Sequence, residues 1–186
     1  MLPDFKLETF FSRYEFTTKY QVTASDAETI SLKDLLATAN KDDLKLWENL
    51  NLGYVETFGT PVLREAITET YENMKASDII TFTGAQEGIF SAMHALLSPN
   101  DHAIVVTPNY QSSETLPASI CETSGIPLDP NNNWELDVDL IKGAIKPNTK
   151  LISFNFPNNP TGKIISIDKL NEIISIARTN NIYIFS

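Results

Sequence analysis

The sequence predicts an α/β protein with a mainly parallel sheet flanked by helices, preceded by a helical N-terminal segment. Three observations carry this. From residue 79 onward, short apolar runs alternate with helical periods of about 8 to 15 residues, the pattern of βαβ units. Ala103–Thr107 is a continuous apolar run, as in strands covered on both faces, and Leu151–Phe154 reads as another strand. Before residue 75 the apolar spacing is helical. The expected division is therefore residues 1–75 as a helical segment and 76–186 as the first part of an α/β domain.

Taken in order, Leu7, Phe10, Phe11 and Tyr14 fall at helical spacing. Ser31 is placed to cap a second helix through Ala39, with Leu32, Leu35 and Leu36 on one face. Asp42–Leu50 reads as a short third helix. Thr60-Pro61 opens another, with Leu63, Ala66, Ile67 and Thr70 expected to face inward. Then come a strand at Ile79–Phe82, a helix from Ala85 to Leu97, a strand at Ala103–Thr107 and a helix near Thr115–Cys121. A weak strand at Ile126–Leu128, a helix from Val138 to Ile145 after Asp137, and a strand at Leu151–Phe154 follow. A helix over Ile167–Arg178, capped by Ser166, leads to a last strand at Ile182–Phe185.

A 42% apolar composition over 186 residues supports a real core and argues against disorder. The net charge of −10 is spread along the chain without a basic stripe, so neither nucleic acid nor an anionic membrane is an expected partner. The single cysteine, Cys121, allows no internal disulfide and fits a reducing compartment. Met1–Glu8 carries Asp4 and Glu8 and has no apolar signal core, and no run approaches the roughly 20 apolar residues of a membrane helix. A cytoplasmic protein is expected. His94, His102 and Cys121 lack the spacing of a metal site, so no metal is expected.

Ligands in such sheets bind where strands end and loops enter helices. Three loops qualify. Thr83-Gly84-Ala85-Gln86-Glu87-Gly88 would present the backbone N–H groups of Ala85 and Gln86 at a helix N-terminus, a setting that suits a phosphate. It is neither a dinucleotide fingerprint nor a Walker loop, and an ordinary strand-to-helix turn would look the same. Thr107-Pro108-Asn109-Tyr110 puts an aromatic ring beside a rigid strand exit, able to stack on a flat ligand or simply to pack. Phe156-Pro157-Asn158-Asn159-Pro160-Thr161-Gly162 is too elaborate for a mere turn, with two prolines and a glycine fixing an irregular path around two amides.

Asn-Asn-Pro-Thr-Gly in that position resembles the hallmark of fold-type I pyridoxal-phosphate (PLP) enzymes, specifically the class I/II aminotransferases. Gly53-Tyr54 with Gly59-Thr60-Pro61-Val62-Leu63-Arg64-Glu65-Ala66-Ile67, then Thr83–Gly88, then Pro108-Asn109-Tyr110, match the family's other segments in order and spacing. The resemblance implies a PLP-transferase-like large domain. It implies that Gly84, Ala85 and Gln86 hold the cofactor phosphate, Tyr110 stacks on its ring, and Asn159 hydrogen-bonds its phenolic oxygen. Tyr54 would reach the phosphate of the neighbouring subunit in a homodimer, and Arg64 would have a structural role.

The resemblance also implies what these residues lack. The Asp that pairs with the pyridine nitrogen, the Schiff-base lysine and the carboxylate-binding Arg are expected beyond residue 186, which makes the α/β domain incomplete and leaves no catalytic residue in this chain. Ile79–Phe82 would accordingly miss the strands that flank it in the family. Ser166-Ile167-Asp168-Lys169 offers only a superficial Ser-x-x-Lys: Ser166 reads as a cap and Lys169 as a solvated surface charge. The implied activity is amino transfer between an amino acid and a 2-oxo acid, with the 186 residues alone inactive. Another PLP reaction (lyase, decarboxylase or cyclising synthase) and a non-catalytic fragment or partner subunit are the alternatives.

Overall fold

The computed structural model describes residues 3–23 and 27–186. Its central strand is β1 (His102–Thr107), buried along nearly its whole length. It pairs in parallel with β2 (Glu122–Pro127) on one side and β3 (Thr149–Ser153) on the other, and β3 pairs in parallel with β4 (Tyr183–Phe185), giving the order β2-β1-β3-β4. Successive side chains of a strand point to opposite faces, and the core divides accordingly. Ala103 and Leu151 pack with Met93, Leu97 and Leu116 on one face. Ile104, Val106 and Ile152 pack with Ile126, Leu136, Ile141, Ile173 and Ala177 on the other. The first face is covered by α5 (Ala85–Leu96) and α6 (Gln111–Ile120), the second by α7 (Val138–Ala144) and α8 (Ile167–Thr179).

The N-terminal part holds α1 (Lys6–Tyr14), α2 (Leu32–Ala37), α3 (Lys41–Glu48) and α4 (Pro61–Thr68). The contacts divide the chain into two compact units, Phe82–Ser186 together with the stretch up to Thr9, and Phe10–Thr81. Local caps define the helices of the second unit. Ser31 accepts from Asp34 N, Asn40 and Asp43 form a reciprocal capping box, and Thr60 accepts from Leu63 N ahead of Pro61. Arg64 staples α4 to its surroundings, its Nε donating to Gly59 O at 3.1 Å and its Nη1 to Ala76 O at 3.0 Å. Gly59 sits at φ 98°, and an added Cβ would stand 2.2 Å from Thr81 Oγ1, so glycine is required there.

Four expectations need correction. Ile79–Phe82 forms no strand. Ile79 is extended, but no strand among the described residues lies beside it, and Thr81 ties the segment laterally to Phe58 O, through its N at 3.1 Å and its Oγ1 at 3.4 Å. The helix expected at Thr115 begins at Gln111 and runs through Pro117, a residue that removes one helical donor but is itself buried. The weak strand at Ile126–Leu128 extends back to Glu122, because pairing with β1 recruits polar residues whose own pattern carries no strand signal. None of the α4 residues is buried; Leu63 remains 48% exposed.

His102 is fully buried, its Nδ1 2.8 Å from Thr149 Oγ1 and its Nε2 2.9 Å from Ser124 Oγ. It stands at the start of β1, the opposite strand end from the candidate loops, and bridges three strands. Burial pushes its pKa below the ordinary 6.5, with Lys146 adding to the shift. The native state thus favours the neutral ring. Its contribution is complete above about pH 6.5 and shrinks as pH falls toward the lowered native value. Thermal melting near neutral pH and about two units lower should show the loss, and His102→Gln should flatten that part of the profile. Leu151→Ala, at a fully buried contact with Met93 and Leu116, should cost about 2–5 kcal/mol in urea denaturation.

Candidate cofactor site

The strand order places the reversal of chain direction between β1 and β3: β1 connects to β2 on one side, and the chain then crosses to β3 on the other. In open parallel sheets the crevice at the carboxyl ends of the strands flanking that point is the usual ligand site. The loops leaving β1 and β3 are Pro108–Tyr110 and Asn155–Lys163. They are tied directly, Asn158 Nδ2 donating to Pro108 O at 3.1 Å.

Asn158 organises the second loop. It is 3% exposed. Its Oδ1 accepts from Thr161 N at 3.2 Å and Thr161 Oγ1 at 2.7 Å. Its backbone N donates to Lys163 O at 2.8 Å, and its carbonyl accepts from Gly162 N at 2.7 Å, with Gly162 at φ 71°. Asn159, the residue singled out in the sequence, is exposed and makes no hydrogen bond among the described residues. The buried neighbour thus builds the loop and leaves the amide of Asn159 available. From the sequence, both amides of the loop are able to bond within it, and the structure gives that role to Asn158, whose spacing to Thr161 and Gly162 is that of a side chain closing its own turn.

The first loop joins the same edge. Gln86 Nε2 donates to the Tyr110 hydroxyl at 2.8 Å. The N-cap of α5 is Gly84 at φ 94°, and no side chain caps the helix; α6, whose N-cap is Tyr110, also lacks one, whereas α2, α3, α4, α7 and α8 each have a side-chain cap. Instead Glu87 Oε2 accepts from Thr83 N at 2.6 Å, outside the first turn. The first-turn amides of a 12-residue helix therefore face an exposed stretch, Gly84–Gln86, where a Cβ on Gly84 would meet nothing within 4 Å. Space, donors and helix dipole suit an anion such as a phosphate. Beside it, Asn109 Oδ1 accepts from Tyr110 N, while its buried Nδ2 has no partner.

Tyr110 also meets a residue that sequence reasoning missed. The Phe5 ring lies 5.3 Å from the Tyr110 ring at 59°. Gln111 holds the segment around it, accepting from Lys6 N at 2.9 Å and donating to Asp4 O at 2.8 Å. No local signal links residues a hundred positions apart. Tyr54 is fully exposed and belongs to the Phe10–Thr81 unit. The structure thus joins Gln86, Tyr110 and the Asn158 turn by hydrogen bonds and leaves Asn159 open. Five hollows on the described surface are lined by other residues, none by Ala85, Tyr110 or Asn159. Among the described residues no cluster of His, Cys, Asp or Glu is placed to hold a metal, and no helix is long and apolar enough to cross a membrane.

Lys169 differs from its expected role as a solvated charge. It is 31% exposed, pairs with Glu135, and donates to Leu136 O at 2.7 Å. Ser166 caps α8 as expected, accepting from Lys169 N at 3.3 Å.

Strand order, crossing loops and the helices on both faces define an open, doubly wound parallel α/β domain with its crevice between β1 and β3. The chain belongs to the aminotransferase class I and II family, whose model matches residues 24–186. It is 34% identical over 139 residues to the aspartate aminotransferase of Pyrococcus horikoshii, covering 72% of this chain and 36% of that protein. It is also 34% identical over 143 residues to the glutamate-pyruvate aminotransferase of Escherichia coli, covering 72% and 35%. A PLP-dependent aminotransferase of Streptococcus suis superposes with a TM-score of 0.90 at 28% identity, over 98% of this chain and 50% of that one. The chain therefore spans about a third of these curated relatives and half of that structure.

Asn158→Ala should remove the link to Pro108 and the turn's internal acceptor, lowering stability by about 1–3 kcal/mol in chemical denaturation. Asn159→Ala, at an exposed position, should leave the midpoint nearly unchanged.

Proposed function

We propose that this chain forms the cofactor-gripping part of a PLP-dependent aminotransferase that moves an amino group between an amino acid and a 2-oxo acid. The observation that carries the reading is the Asn158–Pro108 link across the β1/β3 reversal, beside an uncapped helix N-terminus bonded to Tyr110 through Gln86. When bound, PLP supplies an electron sink for chemistry at the amino-bearing carbon. Ala85 and Gln86 would donate their backbone N–H groups to its phosphate, with Gly84 letting the backbone approach closely. Tyr110 would lie against the ring. Asn159 would donate its amide N–H to the phenolic oxygen and favour the ionised form of that group. In this reading the active species is a cytoplasmic homodimer, Tyr54 reaching the neighbouring subunit's phosphate, and the chain divides into residues 1–75 and 76–186.

Lys163 and Lys169, the lysines nearest the Asn-Pro-Thr-Gly turn in sequence, are both committed to Glu135. A free amine poised for proton transfer is not among their roles, and losing such a group typically costs about 10²–10⁴-fold in rate. The 186-residue polypeptide should therefore bind PLP without supporting amino transfer. Titration of the purified chain with PLP should give saturable binding, weakened about tenfold or more by Asn159→Ala. With amino acids and 2-oxo acids added, mass spectrometry should show no transfer above that of free PLP. Absence of saturable binding, or binding indifferent to Asn159, would refute the reading.

A further inference from the structure

Glu135 is half-buried between two ammonium groups. Lys163 Nζ and Lys169 Nζ each pair with one of its carboxylate oxygens, and the Lys163 side chain is only 14% exposed. The three residues come from three places. Lys163 ends the Asn-Asn-Pro-Thr-Gly loop, Lys169 lies in the first turn of α8, and Glu135 closes a turn that begins at Asp129. We propose that Glu135 is a positioning residue: by pairing with both lysines it buckles the Asn155–Lys163 loop to the 129–135 turn and to α8, and so sets where Asn159 stands. The proposal rests on the reading that Asn159 contacts PLP.

The geometry supports a buckle more than a casual surface pair. The loop is anchored at its entrance by Asn158 on Pro108 O. Its exit has the bond from Asn158 N to Lys163 O, which lies within the loop, and Lys163 Nζ then reaches out to Glu135. With the entrance tied to β1's exit, a second tie at the exit removes the remaining swing of the turn. Glu135 is itself held firmly. Asp129 N donates to Glu135 O at 3.0 Å, Glu135 N to Asn132 O at 3.0 Å, and Trp134 N to Asp129 O at 2.8 Å. The next residue, Leu136, is fully buried. Asn133 and Trp134 both take left-handed φ values, 50° and 56°. Two successive non-glycine residues persist there only when their surroundings over-determine the turn.

The charge balance fits. Two lysines on one carboxylate leave one positive charge in excess. The hollow adjoining Lys169 is lined also by Asp129 and Asp137, and by Asp139 and Glu172, which pair with Lys142. Both lysines hold Glu135 ionised, depressing its pKa below the ordinary carboxylate value. Charge-assisted bonds in a partly dry setting exceed those on an open surface.

The test uses the 186-residue chain and two readouts, hydrogen exchange at the Asn158 and Gly162 amides and PLP titration. Glu135→Gln and Lys163→Met should each speed exchange at those amides by about tenfold, the size of one charge-assisted bond, leaving β1 and α5 protected. The double variant should be no worse than either single one. Glu135→Asp, which keeps the charge, should recover most of the protection and of the PLP affinity. Unchanged exchange in Glu135→Gln, or additive losses in the double variant, overturns the buckle. A parent chain that binds PLP with Glu135→Gln binding equally well overturns the positioning role alone. A parent chain that binds no PLP overturns the cofactor reading, and the positioning role with it.

Discussion

The fold hangs on parallel pairing at both edges of β1. A strand hydrogen-bonded on two sides and covered on two faces has no exposure to water, so its residues must be apolar and its backbone groups all paired. Ala103–Val106 meets both demands, with Ile104 and Val106 on one face and Ala103 on the other, while His102 at the strand's start is buried with both ring nitrogens bonded. Parallel neighbours cannot be joined by a hairpin. Each connection must cross a face of the sheet through a helix, which returns every strand exit to the same edge. The loops carrying Tyr110 and Asn159 share an edge for that reason, before any side chain acts.

What that edge offers is mostly backbone. The amides of the first α5 turn are left without a side-chain cap, and the Pro108 carbonyl and the Asn158 turn join the two strand exits. Side chains hold these pieces in register: Gln86 to Tyr110, Gln111 to the Asp4–Lys6 backbone, and Glu135 to Lys163. A phosphate or a planar ring requires fixed donors more than mobile charges. A site assembled from helix amides and locked turns meets that need at little entropic cost on binding.

The Phe10–Thr81 unit is built differently. Its helices are fixed by caps within a few residues of themselves, and none of the residues of α2, α3 or α4 is buried. Its firmest long-range feature is the Arg64 staple with the close approach of Gly59 to Thr81. Much of its apolar side-chain surface, including Leu46, Trp47, Leu50 and Phe58, stays exposed.

The sequence alone determined what short-range physics controls. The caps at Ser31, Thr60, Asp137 and Ser166 act within one helical turn, and the apolar run Ala103–Val106 of β1 announces burial on both faces. The three loops were legible for the same reason, because Gly, Pro and Asn constrain their own backbone. Tertiary structure decided what depends on partners distant in the chain. β2 became a strand through β1, and Ile79–Phe82 did not become one because no strand came to it. Phe5 reached Tyr110, Asn158 rather than Asn159 went into the interior, and Lys169 exchanged solvent for Glu135. Apart from the Asn158 turn, whose bonds to Thr161 are local, such pairings depend on where the chain folds back on itself, and no local spacing encodes that.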